Sequence, residues 1–178
     1  MDFQQSQTYQ NVLRALDYEL RSVALFQLFG KRAGQEVLIE IQNLFLTISG
    51  NNSFIAERLR RLLYGGDTPT LQNLMEALSD EESADRDIYR ASSRVATEEG
   101  YNDIASLFNG IGNIKLNHSF MLQTQIINIQ EGEQFCRDRP VLWLCLGCGN
   151  ILSGECAPDI CPICGYPQGY YRLYETQV

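Results

Sequence analysis

Histidine is almost missing from this chain: the 178 residues contain one, His118. Basic clusters are missing as well. The formal net charge is −8, and the only local basic run is Arg58, Arg60 and Arg61, read here as the solvated outer side of a helix. An acidic chain of this kind is not expected to bind nucleic acid or an anionic membrane. Nor is there a long apolar run. The longest apolar region, around Val37 to Leu46, is interrupted by Glu40, Gln42 and Asn43 and is too short to span a bilayer. The polar start MDFQQSQTYQ does not resemble a signal peptide. These absences lead to the expectation of a soluble cytoplasmic protein.

Cysteine, by contrast, is present six times and is patterned. Cys145-Leu-Gly-Cys148-Gly and Cys161-Pro-Ile-Cys164-Gly are two Cys-x-x-Cys pairs separated by 12 residues, each followed by glycine. The two-residue spacing turns the backbone so that both sulfurs of a pair point at one ion, and four thiolates make a tetrahedral site for one zinc or one iron. Gly149 and Gly165 are expected at positive φ, closing each turn and letting backbone N–H groups approach the sulfurs. The last ~40 residues are too few for a good apolar core, so a metal staple is physically expected there. Cys136 and Cys156 are left over. Without a secretion signal they read as thiols of a reducing compartment, with a Cys136–Cys156 bridge as the alternative.

The first ~130 residues read as helices. Leu13, Leu16, Leu20 and Val23 form an apolar stripe, with Glu19 on or beside it and Gly30 and Gly34 as the stop signals. Ile41, Phe45, Ile48, Asn52, Ile55, Leu59 and Leu62 form a second seam, ended by Gly65-Gly66. A third has Leu71, Leu74, Leu78, Glu81, Ile88 and Val95 on one side and closes at Glu98-Glu99-Gly100. Asn102 or Asp103 is the expected cap of a fourth, in which Ile104, Phe108, Ile111, Lys115, His118 and Leu122 keep the spacing up to Gly132. Four such seams predict an all-α four-helix bundle over residues 1–135 and a small C-terminal metal-knuckle β domain over 136–178.

The chain resembles the rubrerythrins, in which a ferritin-like bundle precedes a rubredoxin-like domain. Val141-Leu-Trp-Leu-Cys145-Leu-Gly-Cys148-Gly and Ala157-Pro-Asp-Ile-Cys161-Pro-Ile-Cys164-Gly-Tyr-Pro167 carry the likeness, with Ile88-Tyr89, Glu98-Glu99-Gly100-Tyr101 and Ile104-Ala105 in the helices. The resemblance implies a homodimer, an iron held by the four cysteines that delivers electrons, and a di-iron centre that reduces peroxide inside the bundle. It also places the di-iron ligands. The helix-one glutamate falls on Glu19 and is kept. The helix-two pair falls on Asn52 and Ile55, both lost. The helix-three pair falls on Glu81, kept, and Ala84, lost; the helix-four pair falls on Lys115, lost, and His118, kept. These are the inward positions given by periodicity alone.

Two ferrous ions bring four positive charges, whereas Glu19, Glu81 and Lys115 together sum to −1. Unbalanced buried charge costs several kcal/mol per ion. An ion-pair network, with Lys115 neutralising the glutamates and His118 and Asn52 adding hydrogen bonds, is therefore expected in place of the di-iron centre. A single ion on Glu19, Glu81 and His118 is a second possibility. A surviving peroxidase is a third, and it requires Asp80, Glu82 or Asp85 to be re-aimed by a helix distortion. The expected function is electron transfer by one iron at the four-cysteine site to a partner protein, without peroxidase chemistry. The alternative from another class is a scaffold whose tail is stapled by zinc.

Overall fold

The computed structural model describes residues 2–174. Long helices are followed by a small β domain, the fold class expected from the sequence. Helix α1 spans Gln7–Gln35, α2 Ile39–Tyr64, α3 Thr70–Ser83, α4 Ala91–Glu98 and α5 Asn102–Gln130. Between α3 and α4 the chain runs as a π-helix over Ala84–Arg90. The strands are β1 (Cys136–Cys145), β2 (Ile151–Cys156) and β3 (Tyr171–Leu173), paired antiparallel in the order β2-β1-β3. No helix among the described residues is long and apolar enough to cross a membrane.

The residues form two compact units, Met1–Pro69 and Thr70–Val178. In the first, α1 packs along α2; in the second, α3, the π-helix and α4 pack along α5. In both, the closest helix contacts run through small residues. Buried positions are Ser22, Gly30 and Ala33 on α1, Ser49 and Ala56 on α2, and Ser93 and Ala96 on α4. On α5 they are Ala105, Gly112, Ser119 and Ile126, a strict seven-residue repeat. Small side chains let two helix axes approach, and that approach covers backbone rather than long side chains. The large apolar seams predicted as the buried stripes are consequently only half covered within each unit; Leu20, Ile55, Ile88 and Val95 are exposed.

Several helix boundaries differ from expectation. Gly30 and Gly34 do not stop α1; they lie inside it where α2 crosses. A Cβ on Gly30 would sit 3.2 Å from Leu46 Cδ2, and one on Gly34 would sit 2.7 Å from Gln42 Nε2. The helix ends instead at Val37, which takes the left-handed conformation (φ 60°) while Leu38 N–H donates back to Ala33 O at 2.9 Å. Gly65 (φ 71°) ends α2 as predicted. Neither Asn102 nor Asp103 is the N-cap of α5: that residue is Tyr101, whose side chain makes no capping hydrogen bond. The π-helix also breaks the assumed continuity of the third seam beyond Glu81, because it adds about a residue per turn and rotates everything after it. The β domain begins with strand at Cys136, and β1 carries a register slip between Cys136 and Val141.

Cys136 and Cys156 are bridged rather than present as thiols. They face each other across β1 and β2. The core of the β domain is Trp143, Cys145, Ala157, Cys161 and Tyr171, with Phe135, Val141, Leu152 and Leu173 packed around it.

Candidate metal centre and the polar cluster of the helices

Each Cys-x-x-Cys segment folds into a hydrogen-bonded loop, and the two loops match. Gly149 N–H donates to Cys145 O and Gly165 N–H to Cys161 O, both at 2.9 Å; Cys145 N–H donates to Asn150 O (2.9 Å) and Cys161 N–H to Tyr166 O (2.8 Å). Both glycines adopt the positive φ expected of them, 77° at Gly149 and 74° at Gly165. A side chain there would strain the turn that brings each second sulfur round.

The four sulfurs lie within 4.8 Å of one another, with Cys145 to Cys164 at 3.6 Å and Cys148 to Cys161 at 3.8 Å. Metal–thiolate bonds of about 2.3 Å in a tetrahedron place sulfurs about 3.8 Å apart, so the spacing fits one ion. The surrounding donors fit as well. Backbone N–H groups of Asn150 (to Cys148), of Ile163 and Cys164 (to Cys161), and of Tyr166 (to Cys164) are directed at sulfur. Such donors stabilise thiolate charge. The Tyr171 hydroxyl is buried without an oxygen or nitrogen partner. It lies beside the Cys161 sulfur and is the chief influence bringing that thiol down to about 6, ahead of the backbone donors. Burial, followed by the Cys161 contact, pushes Tyr171 itself upward, so it stays a protonated donor. Among the described residues this is the one group of three or more His, Cys, Asp or Glu whose ligand atoms converge.

Cys145 and Cys161 are buried; Cys148 and Cys164 are exposed, so one side of the site is open to solvent. Tyr166 and Tyr170 stack there with centroids 4.3 Å apart, and Tyr166 lies directly over Gly147. Trp143 and Tyr171 belong to the core.

In the second unit Glu81, at a predicted ligand position, uses both carboxylate oxygens. Lys115 Nζ donates to Oε1 and His118 Nδ1 meets Oε2, each at 2.8 Å. Lys115 and, less strongly, His118 hold the Glu81 carboxyl below its usual range, against the opposing effect of burial. The side chains of Glu81 and Lys115 are 21% and 24% exposed and that of His118 is 47% exposed. A recess of about 280 Å³ beside them is lined by Ala77, Glu81, His118, Met121 and Leu122. Ala84 offers no ligand atom and begins the π-helix.

The sequence reading missed what the π-helix does. It turns Asp85 towards α5, where Arg90 Nε meets Asp85 Oδ1 at 2.7 Å and Arg90 Nη2 reaches Asn113 Oδ1 at 2.9 Å. Only glycine at 112 leaves space: a Cβ there would lie 2.6 Å from Asp85 Oδ1. The Asp85 carboxylate is thus aimed at Arg90.

In the first unit Asn52 Nδ2 donates to Ser22 Oγ at 2.8 Å, bridging α1 and α2, and Ile55 is exposed. The Glu19 carboxylate has one buried oxygen without a partner. Of the five polar residues expected in one network, Glu81, Lys115 and His118 are joined by hydrogen bonds, and Asn52 bonds to Ser22.

Comparison with known proteins agrees with this architecture. Residues 143–172 match the family described as "Rubrerythrin, rubredoxin-like domain". Over its length the chain is similar to rubrerythrin of Nitratidesulfovibrio vulgaris, at 29% identity across 94% of both proteins. It is likewise 29% identical to rubrerythrin of Clostridium perfringens, covering 96% of this chain and 95% of the relative. Nigerythrin in its mixed-valence state is a similar solved structure, at 24% identity, with a TM-score of 0.34 over 95% of this chain and 87% of that one. In its four-cysteine segment the chain matches the rubredoxin-like domain of rubrerythrins, and over nearly its whole length it is similar to rubrerythrins.

Proposed function

We propose that this protein is a one-electron carrier whose four-cysteine site holds iron, and whose helices have exchanged di-iron peroxidase chemistry for an ion-pair cluster. The observation that carries the second half is at Glu81. Both of its oxygens are engaged, one by the ammonium of Lys115 and one by His118. A cation at that position must displace a lysine from its partner and then tolerate the lysine's charge nearby.

Bound iron supplies a single electron, exchanged between its ferric and ferrous states. The chain's own part is to hold the four sulfurs, to direct N–H groups of Asn150, Ile163, Cys164 and Tyr166 at them, and to bury Cys145 and Cys161. These donors favour the more negative sulfur set of the reduced site. The exposed edge at Cys148 and Cys164 is where an acceptor protein approaches.

The protein works as a homodimer in the cytoplasm in this reading. Supporting the dimer, each helical unit leaves large apolar side chains uncovered: Leu28 and Phe54 in the first, Phe120 and Met121 in the second. Supporting the compartment, four free thiols must stay reduced to accept metal.

Metal content per chain, read with the visible spectrum of protein produced with iron and zinc both available, tests the proposal. One iron and a red ferric tetrathiolate colour that bleaches on reduction is the expected result. One zinc and no colour overturns the carrier in favour of a stapled scaffold. About three metals per chain overturns the loss of the di-iron centre and points to a rearranged peroxidase.

A further inference from the structure

The cysteines outside the metal centre form a site of their own. Cys136 and Cys156 oppose each other on β1 and β2, with Cα atoms 4.0 Å apart, and are bridged. Their position is the weak end of the hairpin. Regular pairing runs from Leu144↔Ile151 to Val141↔Gly154 and is then interrupted by the register slip up to Cys136. Beyond the bridge, Ala157 N–H still donates to Phe135 O at 2.8 Å. The disulfide therefore closes a stretch that the backbone ladder leaves open.

The two sulfurs are unequally placed. Cys156 is exposed and Cys136 is half-buried. A thiol–disulfide exchange needs such an accessible sulfur. The guanidinium of Arg137 folds back to donate from Nη1 to the backbone carbonyls of Glu133 and Cys136, which holds the chain at the start of β1. The segment after Cys156 leads straight into the metal site. Ala157 is in the core with Trp143, Cys145, Cys161 and Tyr171, and Trp143 Nε1 donates to Gly154 O at 3.1 Å, two residues before Cys156.

We propose that Cys136 and Cys156 are a thiol–disulfide exchange site for a dithiol reductant, and that the state of this bridge sets how firmly the neighbouring four-cysteine centre keeps its metal. A thiolate of the reductant attacks Cys156 Sγ, and a new S–S bond forms as the Cys136–Cys156 bond breaks. The electron pair goes to Cys136 Sγ, and that sulfur takes up a proton. The second thiol of the reductant, as thiolate, then attacks the reductant's own sulfur in the mixed disulfide. Cys156 leaves and is protonated, and the reductant departs as a disulfide. Two electrons and two protons pass to the protein, and the reverse sequence, with an oxidised dithiol, restores the bridge. Opening it frees β2 from β1 at the slipped end and loosens the strand that leads to Ala157 and Cys161.

The test uses the full-length chain loaded with zinc. It is equilibrated with reduced and oxidised dithiothreitol in defined ratios, quenched in acid and alkylated, and the peptides carrying Cys136 and Cys156 are weighed. After removal of dithiothreitol, zinc release to a chromogenic chelator is followed for both states. The expected result is a reversible two-thiol transition in the native protein, with release several-fold faster in the reduced state. The Cys136→Ser/Cys156→Ser variant should release zinc at the fast rate whatever its pretreatment. Three results overturn the proposal: thiols that stay unbridged in oxidised dithiothreitol, a bridge reducible only in denaturant, or equal release rates in the two wild-type states. The wild-type comparison stands even if the double variant fails to fold.

Discussion

Lys115 Nζ lies 2.8 Å from Glu81 Oε1, joining α5 to α3 across the second unit, and His118 holds the other oxygen of the same carboxylate at 2.8 Å. Glu81, Lys115 and His118 are three of the positions at which the family resemblance places di-iron ligands. The pair is neither solvent-exposed nor fully buried, so its strength falls between the small values of surface pairs and the large cost of breaking buried ones.

Replacing the lysine is therefore expected to be costly in a way that depends on the glutamate. Lys115→Met, which keeps most of the apolar stem, should destabilise the full chain in urea by roughly 1–3 kcal/mol. In combination with Glu81→Gln the same change should cost much less. Coupling in this double-mutant cycle below about 0.3 kcal/mol would mean the contact contributes nothing.

The same contact predicts an acid dependence. Glu81 has a folded-state pKa depressed below the ordinary 4.5, chiefly by Lys115. Its contribution is then fully present above the unfolded value and is lost as pH falls from there through the depressed folded value. The stability difference between wild type and Glu81→Gln should shrink as pH falls below about 4.5. Loss of thiolate-bound metal in acid is common to both proteins and cancels. A difference that grows on acidification would contradict the assigned sign.

Tyr171 allows the metal site to be tuned without emptying the core. Tyr171→Phe removes a buried hydroxyl that lacks a conventional partner, so fold stability should stay level or rise. Cys161, no longer drawn down to about 6 by that hydroxyl, should ionise at higher pH. The pH of half-maximal metal uptake is expected to rise by on the order of half a unit to one unit. An unchanged uptake profile would show that the hydroxyl does not act on the sulfur.

Val37 ends α1 in the left-handed region, φ 60°, with a β-branched side chain that is 77% exposed and packs on little. That conformation costs a β-branched residue about 1–2 kcal/mol. Val37→Gly should raise stability by roughly 1 kcal/mol, part of the gain being lost to the freer unfolded chain. Melting temperatures of the two proteins compare this directly, and a decrease for the variant would refute it.

The sequence alone determined the four-cysteine site, because ligand type, spacing and the following glycines are local properties of two short turns. It likewise determined where the helices lie, since apolar periodicity and the positive-φ glycines at 65, 100 and 132 are written into neighbouring residues. Tertiary structure decided the rest. Gly30 and Gly34 look like helix stops in sequence and act as contact points, because what replaces the missing Cβ is a side chain of α2. Three members of the repeat Ala105, Gly112, Ser119 and Ile126 are small and add little to an apolar stripe, and small residues mark a buried face only when another helix lies against them. No local pattern announced the π-helix at Ala84–Arg90 or its turning of Asp85 to Arg90, since an extra residue in one turn is tolerated only when packing on both sides holds it. The pairing of Cys136 with Cys156 was open for the same reason: 20 residues separate them, and only strand register brings two sulfurs together over such a distance.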